Sequence, residues 1–303
     1  MRVFRSYSCL SSDGSLVAIL QRVRVYGRLI KFSHTIFALP FALASVLLVH
    51  RTHPVTWSTI FWILTAMASA RSAAMGFNRY ADHEFDSRNP RTADRPLVKG
   101  HISRSSVLLF ILISSCIFII SAAALGPLCL TLSVPVLLIL FFYSYTKRFT
   151  AFSHLFLGLA IGLAPAGAWV AVAGSLDPGI WLLSLALMTY IAGFDILYAC
   201  QDTEFDRRER LFSMPASMGI AKALRISAIL HWCTFLFLLA LHFAFHLGAV
   251  YLLSVFLISM LLIVEHLLVR PDNLTNVNLA FFHLNSVISI LIFVGVLADT
   301  WFS

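Results

Sequence analysis

The chain has 303 residues, of which 59% are hydrophobic and only 12% are charged. This composition excludes an ordinary soluble protein and indicates a polytopic helical membrane protein. The formal net charge of +8 does not indicate a nucleic-acid surface, because its distribution follows the membrane topology described next.

Nine apolar stretches are long enough to form membrane-spanning helices. They cover approximately residues 29–50, 56–77, 105–125, 128–146, 152–174, 179–200, 223–246, 249–269 and 279–300. Of the 22 Lys and Arg residues, all except Arg51 and Arg71 lie before the first span, in loops after even-numbered spans, or at the ends bordering them. This positive-inside pattern predicts a cytoplasmic N-terminus. We expect an all-α membrane protein with a cytoplasmic tail (1–28, or alternatively a transit peptide) and one transmembrane domain (29–303).

An acidic pentad occurs twice, each time just past an apolar stretch. The first pentad is Asp82-His-Glu-Phe-Asp86, and the second is Asp202-Thr-Glu-Phe-Asp206. Aspartates four residues apart share one face of a helix, where their charges repel unless a cation lies between them. Mg²⁺ prefers oxygen ligands and commonly bridges carboxylates to phosphates. The repeat therefore predicts two parallel halves plus a ninth helix, with a magnesium–diphosphate site between the halves.

Several polar residues flank the first pentad. Asn78 precedes Asp82 by four positions, so it extends the metal-binding face or caps the helix. Arg71 lies seven positions further back inside the second span, where it is expected to receive an anionic group or pair with an acid. Arg91 and Arg95 follow the pentad one helical turn apart. Guanidinium groups match phosphate oxygens, which makes both arginines candidate diphosphate ligands.

A second group of polar residues lies in spans 4 and 6. Tyr143 and Lys147 are one turn apart at the cytoplasmic end of span 4, where snorkelling to lipid headgroups is the ordinary explanation for a lysine. Asp195 lies inside span 6. An ionisable residue at that depth indicates a functional site, the alternative being a hydrogen bond to a neighbouring helix. Tyr198 lies on the same helical face as Asp195 and Asp202.

Glycine and proline predict local features of the spans. Gly158, Gly162 and Gly167 in span 5 are expected to allow close contact with a neighbouring helix. Pro40 in span 1 is expected to kink its helix.

The segment from Asn78 to Asp86, its Asn-Pro-Arg-Thr-x-x-Arg-Pro continuation and the second pentad together resemble the UbiA superfamily of intramembrane prenyltransferases. The segments from Tyr143 to Lys147 and from Lys31 to Pro40 resemble its 4-hydroxybenzoate branch and relatives in the futalosine route to menaquinone. The chain departs from a common family form at Arg207, where an additional aspartate often follows.

The resemblance implies nine helices around a central cavity, with polar cap loops and a lipid-accessible opening for a prenyl tail. The implied ligands of Mg²⁺ and diphosphate are Asn78, Asp82, Asp86, Asp202 and Asp206. The implied groups around the leaving diphosphate are Arg91, Arg95, Lys147, Tyr143 and Tyr198, the two tyrosines either binding phosphate or shielding an allylic cation. Asp195 would polarise the aromatic acceptor or remove its proton, and Arg71 would orient it. Asp82, Asp195 and Asp202 are the expected catalytic residues.

We therefore expect magnesium-dependent transfer of a polyprenyl group from polyprenyl diphosphate to an aromatic acid, foremost 4-hydroxybenzoate, for quinone biosynthesis. A naphthoate-type acceptor is the alternative. The expected location is the bacterial inner membrane, in contact with lipids and with the site on the cytoplasmic side; the mitochondrial inner membrane is the second choice. A CDP-alcohol phosphatidyltransferase is disfavoured because its Asp-Gly…Ala-Arg run is missing. An ion-coupled transporter is disfavoured because most of the acids lie at span ends.

Overall fold

The computed structural model describes residues 24–275 and 277–302, which include nine long helices and no extended strand. The helices are α1 (Leu39–His50), α2 (Trp57–Ala81), α3 (Arg104–Leu125), α4 (Pro127–Thr146), α5 (Ser153–Ala173), α6 (Ile180–Ala199), α7 (Ile220–Phe245), α8 (Ala249–Leu268) and α9 (Asn285–Phe302). Eight of them, α2 to α9, are long and apolar enough to cross a membrane. The predicted class, an all-α integral membrane protein, is confirmed.

The first predicted span is shorter in the structure than in the sequence prediction. Lys31 adopts a left-handed conformation (φ 47°, ψ 60°) and ends a short helix over 24–29. The apolar helical segment that follows, Thr35–His50, is shorter than the eight full-length spans. Pro40 lies in the first turn of α1. Backbone N–H groups in the first turn have no acceptor within the helix, so the N–H that proline lacks costs no helical hydrogen bond. The predicted kink at Pro40 is therefore wrong. Most of the predicted tail, residues 1–23, lies outside the described residues.

Helices α5 and α6 pack with almost no space between their backbones. A Cβ added to Gly158 would lie 2.3 Å from the carbonyl oxygen of Met188, and one added to Gly162 would lie 2.8 Å from the Met188 Cβ. The predicted close contact is confirmed at these two glycines. It is wrong for Gly167, where an added Cβ would meet no atom within 4 Å. Gly167 is turned away from α6 because an α-helix has 3.6 residues per turn.

The two pentads have the same backbone geometry. Each helix that precedes a pentad is interrupted at the first aspartate, with φ and ψ of −95° and 9° at Asp82 and −100° and 5° at Asp202. A six-residue helix then begins, His83–Arg88 in one half and Thr203–Arg208 in the other. The pentads are therefore helix junctions rather than parts of uninterrupted helices. The glutamate within each pentad is exposed, as expected from its position.

Both pentads lie at one end of the bundle, here called the pentad end. Nη1 of Arg88, which closes the first six-residue helix, is 2.9 Å from Oε2 of Glu209, which follows the second. The ends of helices α2, α4 and α6 meet there, so the repeated acids lie close to one another. This arrangement is the one a shared site requires.

Two cavities adjoin the pentad end. An apolar cavity of about 450 Å³ lies between α2, α3, α4 and α5, and Arg71 and Tyr143 line it at the part nearest the pentads. A polar cavity of about 350 Å³ is lined by Arg28, Lys31, Arg91 and Tyr198, among others. The structure thus places a charged recess next to an apolar chamber inside the bundle.

Candidate active site

Arg91 connects the two halves of the protein. Its Nε donates a hydrogen bond of 2.9 Å to Oδ1 of Asp202, its Nη2 donates to Oδ2, and its Nη1 donates to the hydroxyl of Tyr198 at 2.7 Å. Asn89 adds a 3.1 Å hydrogen bond to Oδ1 of Asp202. Burial lowers the pKa of Arg91, but the hydrogen bond and charge of Asp202, with Tyr198 and Asp86, raise it above its ordinary value. Arg91 therefore remains a cation between the two pentads.

The first pentad has its own set of partners. Arg95 pairs with Asp86 through Nη1 and Oδ2. Asn78 donates a 2.9 Å hydrogen bond to Oδ2 of Asp82, and Arg148 lies 3.6 Å from Oδ1. Burial and the neighbouring Asp86 raise the pKa of Asp82, and the cation of Arg148 partly opposes this increase. The sequence-predicted residues of this half are therefore brought together, although Arg91 and Arg95 lie in a series of turns and not in a helix.

Lys147 contacts the second pentad. Its Nζ lies 2.8 Å from Oδ1 of Asp206, whose side chain is fully buried. The other carboxylate oxygen, Oδ2, has no hydrogen-bond partner among the described residues. The carbonyl of Lys147 accepts a 2.7 Å hydrogen bond from the backbone N–H of Phe212, just after the pentad. Lys147 is thus fixed to the acid, and snorkelling does not describe its position.

Asp195 has a partner that sequence reasoning missed. Oδ2 of Asp195, on α6, lies 2.7 Å from Nδ1 of His154 on α5. The other ring nitrogen of His154 accepts a 3.4 Å hydrogen bond from the backbone N–H of Met214. A single histidine in an apolar stretch, 41 residues from the aspartate, carries no sequence signal for this contact.

Arg71, which lines the apolar cavity, contacts Lys31, which lines the polar one. Nη2 of Arg71 donates a 3.3 Å hydrogen bond to the carbonyl of Lys31, while its buried Nε has no hydrogen-bond partner among the described residues. The ammonium of Lys31 lies 5.7 Å from the ring centre of Tyr198. Burial, and then repulsion by nearby arginines including Arg95 and Arg91, lower the pKa of Lys31 to about 8. Lys31 begins the segment that resembles the 4-hydroxybenzoate branch, but the sequence alone did not predict a role for it.

The oxygen donors of the pentads have the chemistry that Mg²⁺ prefers, namely carboxylates and one amide. Oδ2 of Asp206, which is buried and has no hydrogen-bond donor among the described residues, is of the kind that a cation satisfies. Within the described ranges, however, no three His, Cys, Asp or Glu side chains already form a metal-binding group. Instead, an arginine or lysine lies at ion-pair distance from each of the four pentad aspartates. The donor set fits a magnesium–diphosphate unit, and its role remains a prediction.

Comparison with known proteins adds independent information. Residues 38–287 match the model of the UbiA prenyltransferase family. The chain is 32% identical over 232 residues to 4-hydroxybenzoate octaprenyltransferase of Nitrosomonas eutropha, covering 76% of this chain and 80% of the relative. The Vibrio cholerae enzyme of the same name is 31% identical, with 76% and 81% covered.

Solved structures show the same fold. A UbiA homolog from Aeropyrum pernix K1 has a TM-score of 0.80 and 34% identity, covering 88% of this chain and 98% of that one. A UbiA homolog from Archaeoglobus fulgidus bound to GPP and Mg²⁺ has a TM-score of 0.65 and 19% identity, covering 90% and 99%.

Proposed function

Because the chain belongs to the UbiA prenyltransferase family and is thus an aromatic prenyltransferase of the membrane, we propose that it transfers a polyprenyl group from polyprenyl diphosphate to an aromatic acid. We take 4-hydroxybenzoate as the acceptor, for quinone biosynthesis, because relatives about one-third identical carry that substrate in their names. We assign Mg²⁺ as the cofactor and place the site on the cytoplasmic side of a bacterial inner membrane. The distribution of basic residues supports this orientation.

The contact that best supports this proposal is Arg91 between Asp202 and Tyr198. It places a fixed cation of one half against an acid of the other, at a polar cavity beside an apolar one. A substrate with a diphosphate head and a hydrocarbon tail requires these two environments side by side.

The polar residues act on the diphosphate. The groups that would hold Mg²⁺ and diphosphate are Asn78, Asp82, Asp86, Asp202 and Asp206. When bound, Mg²⁺ supplies Lewis-acid stabilisation of the departing diphosphate. Arg91, Arg95 and Lys147 donate charged hydrogen bonds to phosphate oxygens, which strengthen as negative charge develops there. Each of these three cations already faces a pentad aspartate, so the same groups balance the acids and bind the leaving group.

The apolar cavity protects the reactive intermediate. The bond between prenyl C1 and the diphosphate oxygen breaks, and its electron pair leaves with the diphosphate. A cavity lined mainly by aliphatic side chains keeps water away from the resulting allylic cation. Tyr143 lines this cavity and Tyr198 lines the polar one, which supports their assignment to shielding the cation or binding phosphate.

A ring carbon of the acceptor attacks C1 of the allylic cation. The new carbon–carbon bond forms, and the same ring carbon then loses its proton. We assign removal of that proton to Asp195, whose side chain is 23% exposed and has a fixed orientation beside His154. We assign the acceptor carboxylate to Arg71, whose buried Nε has no hydrogen-bond partner among the described residues and whose side chain lines the cavity.

The proposal is tested by incubating the purified protein in lipid with labelled polyprenyl diphosphate, Mg²⁺ and a panel of hydroxybenzoates and naphthoates. Mass spectrometry should identify prenylated 4-hydroxybenzoate, and chelation of divalent ions should abolish its formation. Prenylation of a naphthoate but of no hydroxybenzoate would instead assign the enzyme to menaquinone synthesis. Failure to prenylate any aromatic acid would refute the assigned reaction.

A further inference from the structure

His154 is the buried histidine closest to the candidate active site. Only 4% of its side chain is exposed, and each of its ring nitrogens has a hydrogen-bond partner. Nδ1 lies 2.7 Å from Oδ2 of Asp195, and Nε2 lies 3.4 Å from the backbone nitrogen of Met214. The two partners lie on opposite sides of the ring and fix its orientation.

These partners determine the tautomer of the neutral ring. A backbone N–H can only donate, so Nε2 must present its lone pair to Met214. The proton of the neutral imidazole is then on Nδ1, which donates to the carboxylate of Asp195. Met214 begins a short helix, Met214–Met218, whose first N–H groups have no acceptor within the helix. Its N–H is therefore available to fix this tautomer.

The segment that contains Met214 is also attached to the diphosphate-binding residues. The backbone N–H of Leu211 donates to the carbonyl of Asp206 at 2.8 Å, and that of Phe212 donates to the carbonyl of Lys147 at 2.7 Å. The segment therefore runs from the second pentad directly to His154. Backbone hydrogen bonds at Leu211, Phe212 and Met214 thus fix the segment against Asp206, Lys147 and His154.

We propose that His154 is a positioning residue for prenyl transfer: it holds Asp195 in one orientation toward the aromatic acceptor. This inference rests on the proposed function, because it takes Asp195 as the group that acts on the acceptor. One carboxylate oxygen of Asp195 is used by His154, which leaves the other for the acceptor. Loss of the histidine hydrogen bond frees Asp195 to adopt other rotamers.

Three substitutions separate the two hydrogen bonds. His154→Asn keeps an amide N–H near the position of Nδ1, so it retains the donor to Asp195. The longer side chain of His154→Gln reaches the position of Nε2, so this variant retains only the hydrogen bond from the backbone N–H of Met214. His154→Phe keeps the ring volume and removes both bonds. We expect kcat to fall by about 100-fold in His154→Phe and in His154→Gln, the cost of a small misplacement of a reacting group, and less in His154→Asn.

The deciding measurement is a double-mutant cycle with Asp195→Asn. A residue that acts only through Asp195 should lower kcat in the wild-type background and have no further effect once Asp195 is changed, with the KM for polyprenyl diphosphate unaltered. An equal fold-loss of kcat in both backgrounds would show a general structural role and overturn the inference. Thermal unfolding in detergent identifies any variant that fails to fold. If His154→Phe does not fold, the cycle is measured with His154→Asn and His154→Gln instead.

The two proposals fail in different ways. If the wild-type protein prenylates no aromatic acid, the proposed function is wrong. If the wild-type protein is active and the effects of His154→Phe and Asp195→Asn multiply, the assigned reaction stands and the role of His154 is wrong.

Discussion

Arg91 binds both carboxylate oxygens of Asp202, although 111 residues of sequence separate the two. The arginine follows the first pentad and the aspartate begins the second, so a cation of the first half neutralises an acid of the second. Such a two-pronged pair holds a guanidinium in one plane. The diphosphate is therefore expected to meet an arginine that is already oriented.

Asp202→Asn should reduce prenyl transfer by at least about 100-fold, a typical loss when one electrostatic group of a preorganised site is removed. The substitution removes a metal ligand and the charged partner of Arg91 while preserving the shape of the side chain. Transfer is measured with labelled polyprenyl diphosphate at saturating acceptor. Glu204→Gln provides a matched control, because Glu204 is in the same pentad but is exposed, and it should retain activity. Equal activity in the two variants would contradict the assignment of Asp202.

The helices and the acidic pentads were predictable from sequence because each depends on local information. A helix that crosses a bilayer must satisfy its own backbone hydrogen bonds, so the length of an apolar run is enough to locate it. The repeated pentads were visible because acids are rare in this chain. The identical backbone interruptions at Asp82 and Asp202 show that the repeat extends to structure.

Contacts that depend on the rotation of one helix against another were not predictable. His154 meets Asp195 only because α5 and α6 pack closely through Gly158 and Gly162. Gly167 belongs to the same small-residue pattern, yet it faces the cavity. The left-handed turn at Lys31 likewise depends on surrounding contacts, because no glycine or asparagine indicates it.

The pH dependence of catalysis should reflect the loss of the proton from the Lys31 ammonium. Its pKa is lowered to about 8 by burial and by neighbouring arginines, so it is a cation at pH 7 and loses its charge as the pH rises through 8. Lys31 lines the polar cavity beside Arg91, where we expect its ammonium to bind a phosphate oxygen. The kcat/KM for polyprenyl diphosphate, which reports groups of the free enzyme, should therefore fall above pH 8 by about tenfold, as expected for the loss of that charged hydrogen bond. Lys31→Arg should remove this decrease, since a guanidinium stays protonated. An unchanged pH profile in Lys31→Arg would exclude Lys31 as its source.

Gly167 should limit the length of the prenyl tail. It lies ten residues along α5 from Leu157, which also lines the cavity, and at 1.5 Å per residue this is about 15 Å deeper in the bundle. Gly167→Phe should place a ring in the chamber and lower kcat/KM for long polyprenyl diphosphates about tenfold or more relative to geranyl diphosphate. Leu159→Phe adds a ring at an exposed position on the same helix, and should leave that ratio unchanged. A parallel loss with both donors would place the tail elsewhere.

Substitution of Gly158 and of Gly167 by alanine should change the stability of the protein in opposite directions. Gly158→Ala adds a methyl group where the Met188 carbonyl leaves only 2.3 Å, so α5 and α6 must separate, at a cost of about 1–3 kcal/mol. Gly167→Ala adds the same methyl group to the same helix with no atom within 4 Å, and alanine favours a helix over glycine by about 1 kcal/mol. Unfolding in mixed micelles should therefore show the first variant less stable than wild type and the second equal or more stable. The reverse order would mean that α5 is rotated, and the chamber assigned to the prenyl tail would then have different walls.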